Sequence, residues 1–248
     1  MQKQLEKYED VKKSLQTYVN DRGGEHTISP EFVAATINDL ANDDAVFTVD
    51  TGMCCVWGAR YLHATGKRIL LGSFSHGSMA NALPQAIGAA LARPHQQVIA
   101  LCGDGGLSMM LGDLATVVQY KLPIKIIVFN NRSSGMVRLE MQVDGLPNWQ
   151  TDMYNPDFAK VAEAMGMKNF TIESPDDVET VLNTALGLNE PVLVNIFTNP
   201  DSLAMPPKIE FSQLKGMATS MGKMMLNGDF KEVMDIIKSN YKHIKDVL

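Results

Sequence analysis

The sequence has few cysteines, no long apolar run and no excess of basic residues. Its three cysteines are Cys54, Cys55 and Cys102, and because two of them are adjacent, the pattern excludes a disulfide framework and indicates a reducing, cytoplasmic setting. No window approaches about 18 consecutive apolar residues, which predicts that no segment spans a membrane. The charged residues 1–13 lack the apolar stretch of a signal peptide.

Charge and composition narrow the class of protein further. The chain has 22 Lys and Arg residues against 28 Asp and Glu residues, which gives a net charge of −6 and an isoelectric point near 5.4. This balance excludes the basic surface by which many proteins bind nucleic acid. With 45% hydrophobic and 20% charged residues, the composition is typical of a soluble globular protein with one sizeable core.

Short apolar runs alternate with helical patterns between residues 26 and 200. Strands are predicted at residues 45–49, 68–71, 98–101, 124–129, 170–172 and 192–197. Helices are predicted at residues 30–40, 56–64, 81–92, 108–121, 156–166 and 175–186. Strands that are apolar on both faces imply βαβ units covered on both sides. We therefore predict an α/β domain over residues 26–200, a doubly wound and mostly parallel sheet with helices on both faces.

Two flanking segments differ from this domain. Residues 3–20 carry apolar side chains at helical spacing, so residues 1–25 are predicted to form a helical linker. After residue 199, prolines at positions 200, 206 and 207 preclude continuous regular structure. Residues 208–248 then resume a helical pattern, which makes residues 201–248 a predicted carboxy-terminal helical tail.

A glycine-rich turn follows the predicted strand at 98–101. It reads Gly103-Asp104-Gly105-Gly106, and its glycines would let a phosphate approach the backbone closely. A nucleotide-binding G-x-G-x-x-G pattern is not met, because position 108 is serine. A carboxylate in this loop would repel a diphosphate by about 4 kcal/mol per charge pair at about 4 Å. Because a bridging Mg²⁺ removes that objection, Asp104 favours a Mg²⁺-diphosphate.

A second polar turn follows the predicted strand at 124–129. Asn131 offers an amide oxygen and Ser133 a backbone carbonyl, and Asn131 lies 27 residues after Asp104. That interval holds one loop, one helix and one strand, so both side chains could reach one cation at the edge of a parallel sheet. Each turn alone is more typical of a plain loop. Together they indicate a metal site in which Asp104 is a loop residue outside the core.

These turns and their surroundings resemble the signature of thiamine-diphosphate enzymes of the decarboxylase and acetolactate synthase superfamily. The resemblance rests on residues 47–62, 72–91 and 102–131, and it covers essentially residues 25–248. It is closer still to the pyruvate oxidase and quinone-dependent pyruvate dehydrogenase branch, of which the chain would be the carboxy-terminal third. Residues 1–25 would then lead from an upstream domain.

The resemblance implies a full set of site residues. The metal ligands would be Asp104, Asn131 and Ser133. Met79 would wedge the cofactor into a V shape, and the Gly77 carbonyl would accept a hydrogen bond from its 4′-amino group, so that this base lies against C2. The cofactor-binding residues would be Gly52, Gly77, Ser78, Met79, Gly103, Asp104, Gly105, Gly106, Asn131, Arg132, Ser133, Ser134, Gly135, Met136 and Val137.

The sequence also departs from the family pattern. The glutamate that activates the pyrimidine ring belongs to an amino-terminal pyrimidine-binding domain, and no residue here matches it. The middle domain that binds FAD in the oxidases is also missing, so FAD would belong to the complete enzyme only. Met136 stands where the oxidases have phenylalanine and acetolactate synthases have methionine.

These sequence features are compatible with three functions. The leading expectation is oxidative decarboxylation of pyruvate or a related 2-oxo acid, with electrons passing to FAD. The alternatives are an acetolactate-synthase-like carboligase and a cofactor-binding fragment or subunit that is inactive alone. Since the family builds its active sites between subunits, we also expect a homo-oligomer.

The end of the tail shows one further pattern. Apolar residues recur at helical spacing, at positions 230, 233, 234, 237, 241, 244 and 248. The stripe resembles the segment by which quinone-dependent pyruvate dehydrogenases dock on the inner face of the cell membrane. The alternative, which is commoner for amphipathic helices, is that the stripe packs on the protein itself or on another subunit.

Overall fold

The computed structural model describes residues 2–203 and 211–247, with side chains for all of them except 211 and 241–247. A short antiparallel pair, β1 (Gly23–Gly24) and β2 (Thr27–Ile28), precedes the main sheet. The main strands are β3 (Val46–Val49), β4 (Ile69–Gly72), β5 (Val98–Gly103), β6 (Lys125–Asn130), β7 (Lys168–Ile172) and β8 (Val192–Phe197). They pair in the order β4-β3-β5-β6-β8-β7, and every pair is parallel. This confirms the predicted doubly wound α/β fold.

Helices surround the sheet. They are α1 (Gln2–Val19), α2 (Pro30–Leu40), α3 (Met53–Tyr61), α4 (Ala82–Ala92), α5 (Asp104–Met109), α6 (Leu114–Gln119), α7 (Gly135–Val143), α8 (Phe158–Ala164), α9 (Val178–Gly187), α10 (Phe211–Asn227) and α11 (Phe230–Val247). The start of α2 follows from its sequence, because the Ser29 hydroxyl accepts from the Phe32 N–H at 3.3 Å and Pro30 occupies the first turn.

The sheet buries apolar side chains on both faces. Helices α2, α3 and α9 cover one face, where the core includes Ile37, Trp57 and Leu182. Helices α4, α6 and α8 cover the other face, where it includes Leu83 and Val117. Successive residues of β5 alternate between the two cores, as the period of two in a strand requires. The predicted two-sided burial is therefore confirmed.

The order of the strands creates a crevice at one edge of the sheet. From β3 the chain moves outward to β4 and then returns past β3 to β5. The connections that leave β3 and β5 therefore run in opposite directions, which opens a gap between the carboxyl ends of these two strands. Such switch points are where open α/β sheets bind ligands.

Two helices near this crevice differ from the sequence prediction. The helix predicted at residues 108–121 is divided into α5 and α6, with a 3₁₀ turn at Leu111–Asp113 between them. Helix α5 also begins before the predicted start, so Asp104 is the first residue of a helix and not a loop residue. Helix α3 begins at Met53, three residues earlier than predicted, because Gly52 adopts φ of +126° at its amino end.

Helices α10 and α11 pack with α7 and form a third apolar cluster, which consists of Leu139, Leu203, Met217, Met224, Val233 and Ile236. Val233 and Ile236 of α11 are buried, whereas Phe230 and Met234 are 60% and 47% exposed. The buried row of α11 therefore consists of Val233, Ile236 and the polar Asn240. The helix is rotated about its axis relative to the predicted apolar stripe. Asn240 donates to the Asp201 carbonyl at 2.7 Å and accepts from the Leu203 N–H at 3.0 Å.

Part of the tail prediction falls on side chains that the structure does not describe. Residues 241, 244 and 248 of the stripe belong to that part, and so do the prolines at 206 and 207. Contact of the tail with lipid stays a prediction. Phe230 and Met234 are the exposed apolar residues that would make this contact. No helix within residues 2–203 and 211–247 is long and apolar enough to cross a bilayer.

Replacing Ile236 with alanine should lower the free energy of unfolding by about 2–5 kcal/mol, because the substitution leaves a cavity in the third cluster. Urea denaturation of the purified chain measures this. Phe230→Ala on the same helix is the control and should change stability by less than about 0.5 kcal/mol. Equal losses in the two variants would contradict the described packing of α11.

Candidate functional site

A cavity of about 220 Å³ occupies the crevice at the carboxyl ends of β3, β5 and β6. Most of the residues that the sequence analysis assigned to a cofactor line it. They are Gly52, Met79, Gly103, Asp104, Gly105, Gly106, Asn131, Ser133, Ser134, Gly135, Met136 and Val137. Gly77, Ser78 and the Arg132 side chain lie outside this lining.

The carboxylate of Asp104 lies at the base of the cavity and is only 3% exposed. Its Oδ1 accepts from the Gly105 N–H at 2.9 Å. Its Oδ2 accepts from the Arg132 N–H and from the Asn155 amide, both at 2.7 Å. Burial raises the pKa of this carboxyl, while these three donors act in the opposite direction. The expectation that Asp104 lies outside the core is therefore wrong, because the start of α5 is packed into the sheet edge.

The turn after β6 presents two more oxygen atoms on the same side. The Asn131 Oδ1 accepts from the Ser133 N–H at 3.0 Å, and the Ser133 carbonyl accepts from the Gly135 N–H at 2.9 Å. Arg132 adopts φ of +54°, which makes the turn tight enough for its N–H to reach Asp104. The two strand ends are thus joined directly.

These donors fit a magnesium ion that carries a diphosphate. Asp104, Asn131 and Ser133 supply a carboxylate, an amide carbonyl and a backbone carbonyl, which are oxygen ligands of the kind that Mg²⁺ prefers. The Ser133 hydroxyl lies in the cavity wall and, within the described part of the chain, is buried without a hydrogen-bond partner. A buried hydroxyl in that condition is free to bond to a ligand. Gly105 and Gly106 also line the cavity.

Met79 also borders the cavity. A Cβ atom added to Gly105 would lie 3.5 Å from the Met79 methyl group, so this side chain lies against the glycine turn. The segment that carries it is sharply bent, with φ of +71° at Gly77 and +60° at Ala80. The N–H groups of Gly77 and Ser78 bond to Ser73, at 2.8 and 3.0 Å.

The Arg132 side chain points away from the proposed cofactor. Its guanidinium lies 4.7 Å from the ring centre of Phe197 and borders a separate polar cavity. Only its backbone N–H therefore contributes to the cavity, through the bond to Asp104. The resemblance assigned the residue to the cofactor, but it could not separate a backbone contribution from a side-chain one.

Sequence reasoning missed Asp50, Trp57 and Asn155. Asp50 and Trp57 line the cavity, and Asn155 donates to Asp104. Asp50 could have been found, because it directly follows a buried strand, as the glycine turn does. Asn155 lies 51 residues after Asp104 in an irregular segment, and no local pattern indicates it.

Cys54 also lines the cavity, and the ionisation of its thiol limits the reactions it can take part in. Burial, followed by the nearby carboxylates of Asp50 and Asp104, raises the pKa of this thiol well above its ordinary range. The thiol is therefore protonated at neutral pH. A protonated buried thiol is a packing group and not a nucleophile.

The ionisation of Asp50 should affect stability in a defined direction. Burial raises its pKa from the ordinary value of 3.8 to about 6. A raised folded-state pKa gives a contribution that is fully present below pH 3.8 and is lost as the pH rises to about 6. The free energy of unfolding of the wild type relative to Asp50→Asn should therefore fall between about pH 4 and 6 and level off above. Urea titrations across this range measure it, and a pH-independent difference would contradict the assignment.

Comparison with known proteins agrees with this site. The family described as "Thiamine pyrophosphate enzyme, C-terminal TPP binding domain" matches residues 50–196, which include both strand ends. A protein of Bacillus subtilis (strain 168) described as thiamine pyrophosphate-containing is 35% identical over 212 residues, which are 86% of this chain and 37% of that protein.

Acetolactate synthases are among the other relatives. The large subunit of Porphyra purpurea is 38% identical over 181 residues, which cover 68% of this chain and 29% of that protein. The large subunit IlvB1 of Mycobacterium tuberculosis is 34% identical over 187 residues, which cover 73% and 30%. The chain thus spans about a third of the length of the curated relatives it matches. It belongs to the thiamine pyrophosphate enzymes, as their C-terminal TPP-binding domain.

Proposed function

We propose that this chain holds Mg²⁺-thiamine diphosphate in the crevice and forms part of an acetolactate-synthase-like carboligase. One observation supports the proposal most strongly. The Asp104 carboxylate accepts a hydrogen bond from the Arg132 N–H, so the glycine turn and the Asn131 turn meet in one cavity. Asp104, Asn131 and the Ser133 carbonyl would bind the metal ion. When bound, thiamine diphosphate supplies the electron sink for decarboxylation of a 2-oxo acid.

The residues of the chain would bind and orient the cofactor. The glycine turn would let its backbone approach the diphosphate closely, while its Gly103 and Gly105 N–H groups hold the Asp50 and Asp104 carboxylates in place. Met79, which lies against the glycine turn, would support the bend of the cofactor. Met53, Met136 and Met153 make much of the remaining lining apolar, which keeps water away from the reacting centre.

The proposed reaction is inferred from the proteins to which this chain is similar. Acetolactate synthases are prominent among them, at 34–38% identity, and Met136 occupies the position at which the resemblance places methionine in that group. The pyruvate oxidase reading, with its FAD, finds no support among these relatives. We therefore infer that the second substrate is another 2-oxo acid and that no electron acceptor takes part.

A further domain is needed to complete the site. Within the described residues, the only carboxylates that line the cavity are Asp50 and Asp104, and both accept hydrogen bonds from backbone N–H groups. Neither is available to activate the pyrimidine ring. Phe74 and Tyr154, in the segments that carry Met79 and Met153, are 60% and 103% exposed. Exposed apolar residues near a site favour a docking surface, here for a pyrimidine-binding domain with the activating glutamate.

Asp104→Asn should weaken Mg²⁺-dependent binding of thiamine diphosphate by about tenfold or more, because the amide keeps the shape but removes the charge on the ligand oxygen. Calorimetric titration with and without Mg²⁺ measures this. The matched control is Asp157→Asn, which alters the cap of α8 outside the cavity. Unchanged affinity in Asp104→Asn would sink the metal assignment.

The reaction itself can be identified by its stoichiometry. The chain alone should release no CO₂ from pyruvate, because within the described residues no carboxylate that lines the cavity is free to activate the cofactor. Combined with its pyrimidine-binding domain, it should release one CO₂ for every two pyruvate molecules and form acetolactate. One CO₂ for each pyruvate, with reduction of a quinone or oxygen, would favour the oxidase instead. Activity of the chain alone would overturn the proposed need for a second domain.

A further inference from the structure

Asp50 connects two parts of the site that are distant in sequence. It follows β3 and is 2% exposed. Its Oδ1 accepts from the Ala82 N–H at 2.9 Å, at the start of α4, and its Oδ2 accepts from the Gly103 N–H at 3.2 Å. Ala82 lies three residues after Met79, and Gly103 lies directly before Asp104. One carboxylate therefore joins the Met79 segment to the turn that would hold the diphosphate.

A residue of β3 itself reinforces the same connection. Thr48 precedes Asp50 by two positions, so both side chains leave the strand on one face. The Thr48 hydroxyl is fully buried and donates to the Ala82 carbonyl at 2.8 Å. The carbonyl of Ala82 is thus bound to β3 and its N–H to Asp50 just after the strand, which fixes the first turn of α4 in position and orientation.

The glycine turn packs directly on the Asp50 carboxylate. A Cβ atom added to Gly106 would lie 2.2 Å from Asp50 Oδ2 and 3.3 Å from the Ala80 backbone nitrogen. The carboxylate could not move away without breaking its bonds to Ala82 and Gly103. Position 106 therefore requires glycine because three segments meet there, and this role is separate from any contact with a phosphate.

We propose that Asp50 is a positioning residue that sets the distance between Met79 and the metal-diphosphate turn. This inference rests on the proposed function, since it concerns the same cofactor. The diphosphate would contact only the glycine turn and the Asn131 turn, whereas the rest of thiamine diphosphate must also fit against Met79. Correct spacing between the two parts therefore matters for the whole cofactor and much less for inorganic diphosphate.

The test compares two ligands, thiamine diphosphate and inorganic diphosphate, each with Mg²⁺. Asp50→Asn preserves the shape of the side chain, but its NH₂ group faces one of the two backbone N–H donors, so one bond is lost. We expect the ratio of the Kd for thiamine diphosphate to the Kd for diphosphate to rise about tenfold. Thr48→Val should raise the ratio in the same direction by a smaller factor, and Asp157→Asn should leave it unchanged.

Tryptophan fluorescence gives a readout that is independent of activity. The chain has two tryptophans, of which Trp57 lines the cavity and Trp149 is 72% exposed. A Trp149→Phe background therefore reports ligand binding through Trp57. If Asp50→Asn weakens both ligands by the same factor, or neither, Asp50 only stabilises the fold and the inference is overturned.

Two further outcomes would also bear on the inference. If Asp50→Asn does not fold, Thr48→Val decides the question, and an unchanged ratio in that variant overturns the inference. If the wild type binds neither ligand in the presence of Mg²⁺, the proposed function fails. Binding of both ligands by the wild type with an unchanged ratio in the variants removes only the role of Asp50.

Discussion

The parallel pairing of β5 with β6 is the constraint on which the site depends. Gly103 pairs with Phe129, so the residues that follow the two strands emerge at the same height above the sheet. The bond from the Arg132 N–H to the Asp104 carboxylate then joins the two turns. A shift of this register would move Asp104 away from Asn131, and neither turn alone offers a metal ion enough ligands.

The same arrangement places two buried carboxylates in one crevice. Burial raises the pKa of Asp50 to about 6 and also raises the pKa of Asp104, which means that the surroundings oppose both charges. Backbone N–H groups offset part of this cost at each carboxylate. A bound cation would offset more of it at Asp104.

Much of the fold could be predicted from the sequence, for identifiable reasons. The strands at the centre of the sheet are continuous apolar runs, so their existence and type were clear. Asp104 and Asn131 directly follow two such runs, which is why their meeting at one edge could be anticipated. The rotation of α11 about its axis could not be predicted, because the buried Asn240 interrupts the apolar row with a polar residue that bonds to Asp201 and Leu203.

Other features depend on contacts between distant segments. Asn155 reaches Asp104 from an irregular segment, and the role of Asp50 follows only from the approach of Ala82 and Gly103 to β3. The separate roles of the Arg132 backbone and side chain likewise follow from its left-handed conformation, which a non-glycine residue seldom adopts. Local sequence patterns carry no information on such contacts.

The central claim is that Asp104, Asn131 and the Ser133 carbonyl bind one metal ion that also carries the cofactor diphosphate. A crystal structure of the chain with Mg²⁺ and thiamine diphosphate tests it most directly. We expect one Mg²⁺ with all three of these oxygen atoms at about 2.1 Å and with diphosphate oxygens completing its octahedron. A metal ion bound elsewhere, or a diphosphate held without contact to Asp104 and Asn131, would contradict it.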